Sequence, residues 1–283
     1  MTSVLLVAAV MTQSKVPWAP PMPLRPISSN EEAWDGKASE LDAGDYKMTL
    51  FLPNGWNEDW DGVLTIHFHT IAWHTIQEHE RRGSKRPLVV FVNGQGSSKY
   101  REPMLDKGRF GRWIKLLEGE LEEPVTGLEL TSFSAGYGAI REIVQQPEYF
   151  DLIRRVVLFD SMYAGFETEG EREPQRDQID VWVPLAKAAK EGKKTFLFTV
   201  SDVPTETFAS SSECALALLS RFNSKWKDTF STASLDELHP LLKRYDSGNL
   251  HVWLYGGQDG AAHLTHVRHM GSVLASLDRS GKP

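Results

Sequence analysis

Short apolar runs recur along the chain at 46–52, 63–69, 88–92, 128–133, 156–159, 195–200 and 250–255. Several are hydrophobic on both faces instead of strictly alternating with polar residues, which is the pattern of strands covered on both faces of a parallel sheet. Segments with helical periodicity lie between them, at about 71–82, 105–121, 136–146, 183–191, 210–222 and 262–277. The alternation predicts an α/β fold: a mostly parallel, twisted sheet with helices on both faces. It occupies one continuous domain, 46–283, behind an N-terminal extension, 1–45. In such sheets the working crevice lies beyond the carboxyl ends of the strands, so the residues that end each run are the candidates for chemistry.

Composition narrows the possibilities further. With 283 residues, 41% hydrophobic and 24% charged, the chain can bury a sizeable core. No stretch approaches the roughly 18 unbroken apolar residues of a membrane-spanning helix, and the apolar content argues against a disordered chain. Against 38 Asp and Glu there are 31 Lys and Arg, a net charge of −7, with no long basic run. A nucleic-acid partner, which requires clustered cations, is therefore not expected. Cys214 is the only cysteine, so the chain can form no internal disulfide and no multi-cysteine zinc or iron–sulfur centre. It sits in a helical pattern and reads as a small buried apolar residue. Val4 to Met11 is a short apolar run with no preceding Lys or Arg. It fits either the remnant of an export signal or a buried strand of a cytoplasmic protein. Five prolines between Pro17 and Pro26 read as an extended strap. Nothing in the sequence fixes an oligomeric state.

One strand end carries the strongest chemical signal. Leu130-Thr131-Ser132-Phe133-Ser134-Ala135-Gly136-Tyr137-Gly138 runs from an apolar strand into a helix through a turn of small residues. This is the layout of a nucleophile elbow, in which a sharp turn strains the central serine and lifts its hydroxyl clear of the sheet. The residues two places before and after must be small, and Ser132 and Gly136 meet that need. Ser134 is then the candidate nucleophile; the bland alternative is a tight packing turn.

On these residues the chain resembles the α/β-hydrolase superfamily from about Tyr46 to its C-terminus. In particular it resembles a poorly characterised bacterial subgroup with the Ser-Phe-Ser-Ala-Gly-Tyr-Gly elbow. Ser132 replaces the usual first glycine. Val63-Leu64-Thr65-Ile66-His67-Phe68-His69-Thr70 is similar to the family's third strand and its His-Gly oxyanion segment, with Thr70 where glycine is usual. The segment 88–98 is similar to the fourth strand and the glycine- and serine-bearing loop after it. The resemblance implies a single-domain α/β-hydrolase fold with a small cap insertion, and a serine esterase that forms an acyl-enzyme and needs no cofactor. It implies His263, in the small-residue loop after the last strand, as the base for Ser134. One oxyanion donor would be the backbone N–H of Ala135, the other that of Thr70 or Ile71. Two aspartates compete to orient His263. Asp202 follows the seventh strand, where the superfamily more commonly keeps its acid. Asp160 ends the sixth strand directly and is placed slightly ahead, because Asp202 sits one residue into a loop with Val203 and Pro204. Asp259, in Gln-Asp-Gly, reads as a turn former.

Within 161–192, the expected cap, 165–174 is acidic and poor in core residues, and reads first as a solvated loop and second as a substrate-selecting lid. Trp56, Trp60 and Trp73 lie before and after the oxyanion strand. Core packing is their first reading; stacking on a sugar or aryl group is the second, with Trp73 as the candidate substrate contact. The expected partner is accordingly a small-molecule or glycan ester. Two rival readings remain. One is a metal-dependent hydrolase on His67 and His69, completed by His74, His79 or a carboxylate. The other is a catalytically silent binding protein on the same fold. The esterase reading needs no metal.

Overall fold

The structure, a computed structural model, describes residues 34–229 and 235–280. The apolar run 4–11 and the proline-rich strap 17–26 lie outside the described residues. Ten strands form one sheet: β1 (Gly36–Asp42), β2 (Lys47–Pro53), β3 (Val63–Phe68), β4 (Leu88–Phe91), β5 (Gly127–Phe133), β6 (Ile153–Phe159), β7 (Thr195–Ser201), β8 (Lys227–Asp228), β9 (Leu241–Ser247) and β10 (Leu250–Tyr255). Their order is β1-β2-β4-β3-β5-β6-β7-β10-β9-β8. The strands from β4 to β10 in that order run parallel. Antiparallel strands flank them, β2 and β1 on one side and β9 and β8 on the other.

Strands β3, β4, β5 and β10 are buried along their whole length, because helices cover both faces. One face packs against Ser97–Leu105, Arg109–Leu121, Tyr137–Ile143, Val183–Lys190 and Ser211–Ser220. The other packs against Ala72–Arg81, Gly260–Arg268 and Met270–Ser280. The helix Arg109–Leu121 shows why: Phe110, Trp113, Ile114, Leu117 and Leu121 recur at three- and four-residue steps and are all buried. Each such side chain contributes about 1.5–3 kcal/mol. The helix Ser211–Ser220 starts with a capping box between Ser210 and Glu213.

The expected strands are all present, but the sheet is wider than expected and begins at Gly36 rather than Tyr46. β1 is a polar, half-exposed edge strand with no apolar signal of its own. β9 also mixes polar and apolar residues. It is held by a hairpin to β10 whose turn places Gly248 at φ 58°. The single helix expected over 262–277 breaks at His269, whose φ of −114° and ψ of 16° leave helical geometry. The stretch 161–192 is partly excursion and partly helical layer. Its second half contains the crossover helix Val183–Lys190, with Leu185, Ala186 and Ala189 fully buried. Only 165–174 leaves the layers, closed by a bridge between Phe166 and Pro174 and tied down by Arg172, which bonds Glu213 at 2.5 and 2.8 Å. No helix among the described residues is long and apolar enough to cross a membrane.

Candidate active site

At Phe133, β5 passes through one 3-10 turn, Ser134–Gly136, into the helix Tyr137–Ile143. Ser134 has φ 47°, a left-handed conformation that costs a non-glycine residue about 1–3 kcal/mol. Close approach explains the turn. A Cβ on Gly136 would lie 2.1 Å from the Phe68 carbonyl oxygen, so glycine is required where the elbow passes β3. Ser132, in place of the usual glycine, is accommodated by a 2.8 Å bond between its hydroxyl and that of Ser161. Ser161 in turn donates to the Ser134 carbonyl at 2.8 Å. Ser134 itself is half-buried.

Asp160 follows β6, the neighbour of β5, and is also left-handed, at φ 44°. His263 Nδ1 donates to Asp160 Oδ2 at 2.7 Å. The carboxylate further accepts from the Ser201 N–H at 2.9 Å, from the Ser201 hydroxyl at 2.6 Å and from the Ser211 hydroxyl. Burial alone would raise this carboxyl. The His263 hydrogen bond, the neighbouring imidazoles of His266 and His263, and the Ser201 bond outweigh it and hold Asp160 well below the usual carboxylate range. An ionised Asp160 fixes the His263 proton on Nδ1 and leaves Nε2 as the basic nitrogen. The side chain of Asp160 is 1% exposed and that of His263 23%, so the acid is sealed while the base can be reached.

His263 lies in the first turn of the helix Gly260–Arg268. Asp259 caps that helix by accepting from the Ala262 N–H at 2.9 Å, which accounts for it without chemistry. The His263 ring stacks on Phe133, the last residue of β5, with centroids 4.5 Å apart. Asp202 is exposed and accepts from Gln258 Nε2 at 3.1 Å. It makes no bond to His263 among the described residues. His266, one helical turn beyond His263, is buried against Thr199 Oγ1 at 2.9 Å, and burial pushes it down to about 4.

On the other side of the elbow, His69 and Thr70 follow β3 at φ 70° and 126°. Buried His67 fixes this turn. Its Nε2–H donates to the His69 carbonyl at 2.7 Å and its Nδ1 accepts from Thr131 Oγ1 at 2.8 Å. Burial pushes His67 down to about 3, so it stays neutral. His69 Nδ1 bonds the Tyr100 hydroxyl at 2.8 Å, and that hydroxyl also accepts from the Asn93 N–H and donates to the Gly94 carbonyl. The two histidines of the metal reading are thus tied to Thr131 on β5 and to Tyr100 on the helix Ser97–Leu105. Among the described residues, no group of three His, Cys, Asp or Glu is placed to hold a metal ion.

Thr70 is half-buried, and Ile71, the N-cap of the helix Ala72–Arg81, is 41% exposed. Ala135 is half-buried in the turn after Ser134, where backbone amides have no helical acceptor. Trp73 lies with its ring at right angles to His74, 5.6 Å away, and no described ring contact or hydrogen bond joins it to Ser134, Asp160 or His263. Ser161, Ser201 and Ser211 are functional neighbours that sequence reasoning missed. They stand at strand ends and a helix start far apart in the chain, and only the capping box beside Ser211 carries a local signal.

The strand order, the strained serine after β5 and the aspartate–histidine pair at the carboxyl ends of the strands define an α/β-hydrolase fold. Comparison with protein families and with curated proteins finds no match. Among solved structures, the chain is similar to a serine-to-alanine mutant of the feruloyl esterase module from Clostridium thermocellum complexed with sinapinate. The identity is 8% and the TM-score 0.55, over 93% of this chain and 95% of that one. It is also similar to the acetyl xylan esterase from Aspergillus awamori, at 10% identity and a TM-score of 0.50, over 78% of this chain and 93% of that one. At such identities the likeness is one of fold.

Proposed function

We propose that the chain is a serine hydrolase that cleaves carboxylic esters through an acyl-enzyme. Ser134 attacks the carbonyl carbon while His263 Nε2 takes the hydroxyl proton. His263 then returns that proton to the departing alcohol. Water, activated by the same nitrogen, releases the acid and restores Ser134. Asp160, not Asp202, holds the imidazole in the required tautomer and balances its charge when protonated. The amides of Ala135 and of Thr70 or Ile71 bind the oxyanion. No cofactor enters this cycle. The observation that carries the reading is the 2.7 Å bond from His263 to a sealed Asp160, together with a serine held at φ 47° at the end of the strand next to the one Asp160 follows. A small-molecule or glycan ester is the substrate class, in keeping with the fold shared with a feruloyl esterase and an acetyl xylan esterase. A net charge of −7 disfavours a polyanionic substrate. The excursion 165–174, which leaves the sheet just past Asp160, serves as a small cap.

A fluorophosphonate probe is expected to label Ser134, and Ser134→Ala to remove hydrolysis of short p-nitrophenyl esters while leaving thermal unfolding unchanged. Activity that survives Ser134→Ala and disappears with a chelator would overturn the reading in favour of a metal hydrolase. A folded wild-type protein that neither labels nor hydrolyses would overturn it in favour of a silent binding protein.

A further inference from the structure

The opposite end of the sheet carries a second constructed surface. Asp61 precedes β3, Arg86 precedes β4 and Arg155 lies near the start of β6, so these side chains gather at the amino ends of the parallel strands. Over the seven residues of β5, at about 3.3 Å each, this end stands roughly 20 Å from the elbow. A cleft of about 810 Å³ opens there between the loop 54–61 and the turn 82–86, a volume suited to a small organic ligand.

The guanidinium groups of the cleft are already paired. Arg82 bonds Glu129 and, at 2.6 and 2.9 Å, Asp278. Arg155 bonds the same two carboxylates at 3.0 and 2.8 Å. Arg86 bonds Asp61 at 2.6 Å. No guanidinium is left over for an anionic ligand; Lys85 on the rim donates to the Asn54 carbonyl at 3.1 Å and stands 3.8 Å from Asp35, and Glu58 and Asp59 have no ion-pair partner among the described residues. The facing wall is aromatic. Trp56 and Trp60 meet edge to face at 5.5 Å, and Trp60 is fixed by its indole N–H, which donates to the Val63 carbonyl at 2.9 Å. Both rings remain half-buried, with surface left to offer.

We propose that this cleft binds a neutral glycan, with a sugar ring against the Trp56–Trp60 wall and its hydroxyls bonded to the rim carboxylates and guanidinium edges. A sugar ring presents C–H groups that pack on an aromatic face and hydroxyls that both donate and accept. A ligand without net charge leaves the buried ion pairs compensated, whereas a charged one would unbalance them. The site is remote from Ser134 and holds whether or not the chain is a hydrolase.

The test is calorimetric titration of the full chain carrying Ser134→Ala with xylotetraose, cellotetraose and mannotetraose, with inositol hexaphosphate and spermine as charged controls. At least one tetrasaccharide is expected to bind, and a further Trp56→Ala change to weaken it about tenfold or more. Asp59→Ala, at an exposed position that cannot unfold the chain, is expected to weaken it several-fold. In the chain with Ser134 intact, Trp56→Ala should hydrolyse p-nitrophenyl esters at the unaltered rate. No heat from any tetrasaccharide at about 10 mM, binding of the charged controls alone, or tetrasaccharide binding indifferent to both substitutions would overturn the proposal.

Discussion

Asp160 at the carboxyl ends of the strands and Glu129 near their amino ends are both buried carboxylates held ionised, yet their partners differ in kind. For Glu129 the upward push of burial is outweighed by Arg82 and Arg155, with Arg86 nearby, and its carboxyl stays well below the usual range. Guanidinium does not release a proton at any ordinary pH. Asp160 is held down chiefly by the hydrogen bond from an imidazole, a group whose ring nitrogens can both give and take a proton. The same device is therefore static at one end and able to support proton transfer at the other. Backbone strain is concentrated in the same way: of the described non-glycine residues with positive φ, His69, Thr70, Ser134 and Asp160 lie at the carboxyl ends, and Glu122 and Asn223 follow helices elsewhere. The lesson is that burial of charge alone does not mark a reactive site; a titratable partner on strained backbone does.

The contrast can be broken at either end. The largest effect is expected from Asp160→Asn, which should lower turnover on p-nitrophenyl esters by about 10³- to 10⁴-fold, while Asp202→Asn stays within a few-fold. Equal, mild losses would remove Asp160 from the mechanism. Next, Glu129→Ala leaves Arg82 buried with half its compensation, and should lower the unfolding free energy in denaturant by about 3–5 kcal/mol. Hydrolysis per folded molecule should stay near the unaltered rate, and a large loss of turnover would show that the two ends are coupled.

The smallest effect is graded with pH. His67 is pushed down to about 3, and His79, His266 and His269 to about 4, from an ordinary 6.5, in each case chiefly by burial. The unfolded chain therefore takes up these protons first. The stability that depends on neutral rings is complete above about pH 6.5 and drains away as pH falls toward 4; the depressed carboxylates add their own loss below about pH 4. Melting temperature should fall steadily from pH 7 to pH 4, and His79→Gln should flatten the slope by about one proton. A melting temperature indifferent to pH over that window would contradict the neutral-ring account.

Much of this architecture is legible in the sequence because its signals are local. Largely apolar runs announce β3, β4, β5 and β10, and the small residues around Ser134 announce the elbow. β1 and β9 are not legible, since each is polar enough to pass for loop and becomes a strand only through its neighbour. Asp160 and Asp202 end adjacent strands and look alike in sequence. What separates them is a left-handed turn at Asp160 and hydroxyls from Ser201 and Ser211, contributed by different parts of the chain. Trp73 is a third kind of case: the sequence places it near the oxyanion strand, but does not reveal the half-buried setting of its ring, at right angles to His74.

The anchors of Asp160 also bracket a segment that they do not involve. Ser201 and Ser211 grip the carboxylate from either side of 202–210, while between them Asp202 faces solvent and Phe208, 41% exposed, leans on Tyr163. The stretch is anchored at its far end, where Ala209 and Ser210 are buried and Ser210 caps the helix that carries Ser211. Substitutions confined to the exposed side chains 206–208 are therefore expected to leave the Asp160–His263 bond in place, whereas a change of length that moves Ser210 would loosen one of the anchors of Asp160.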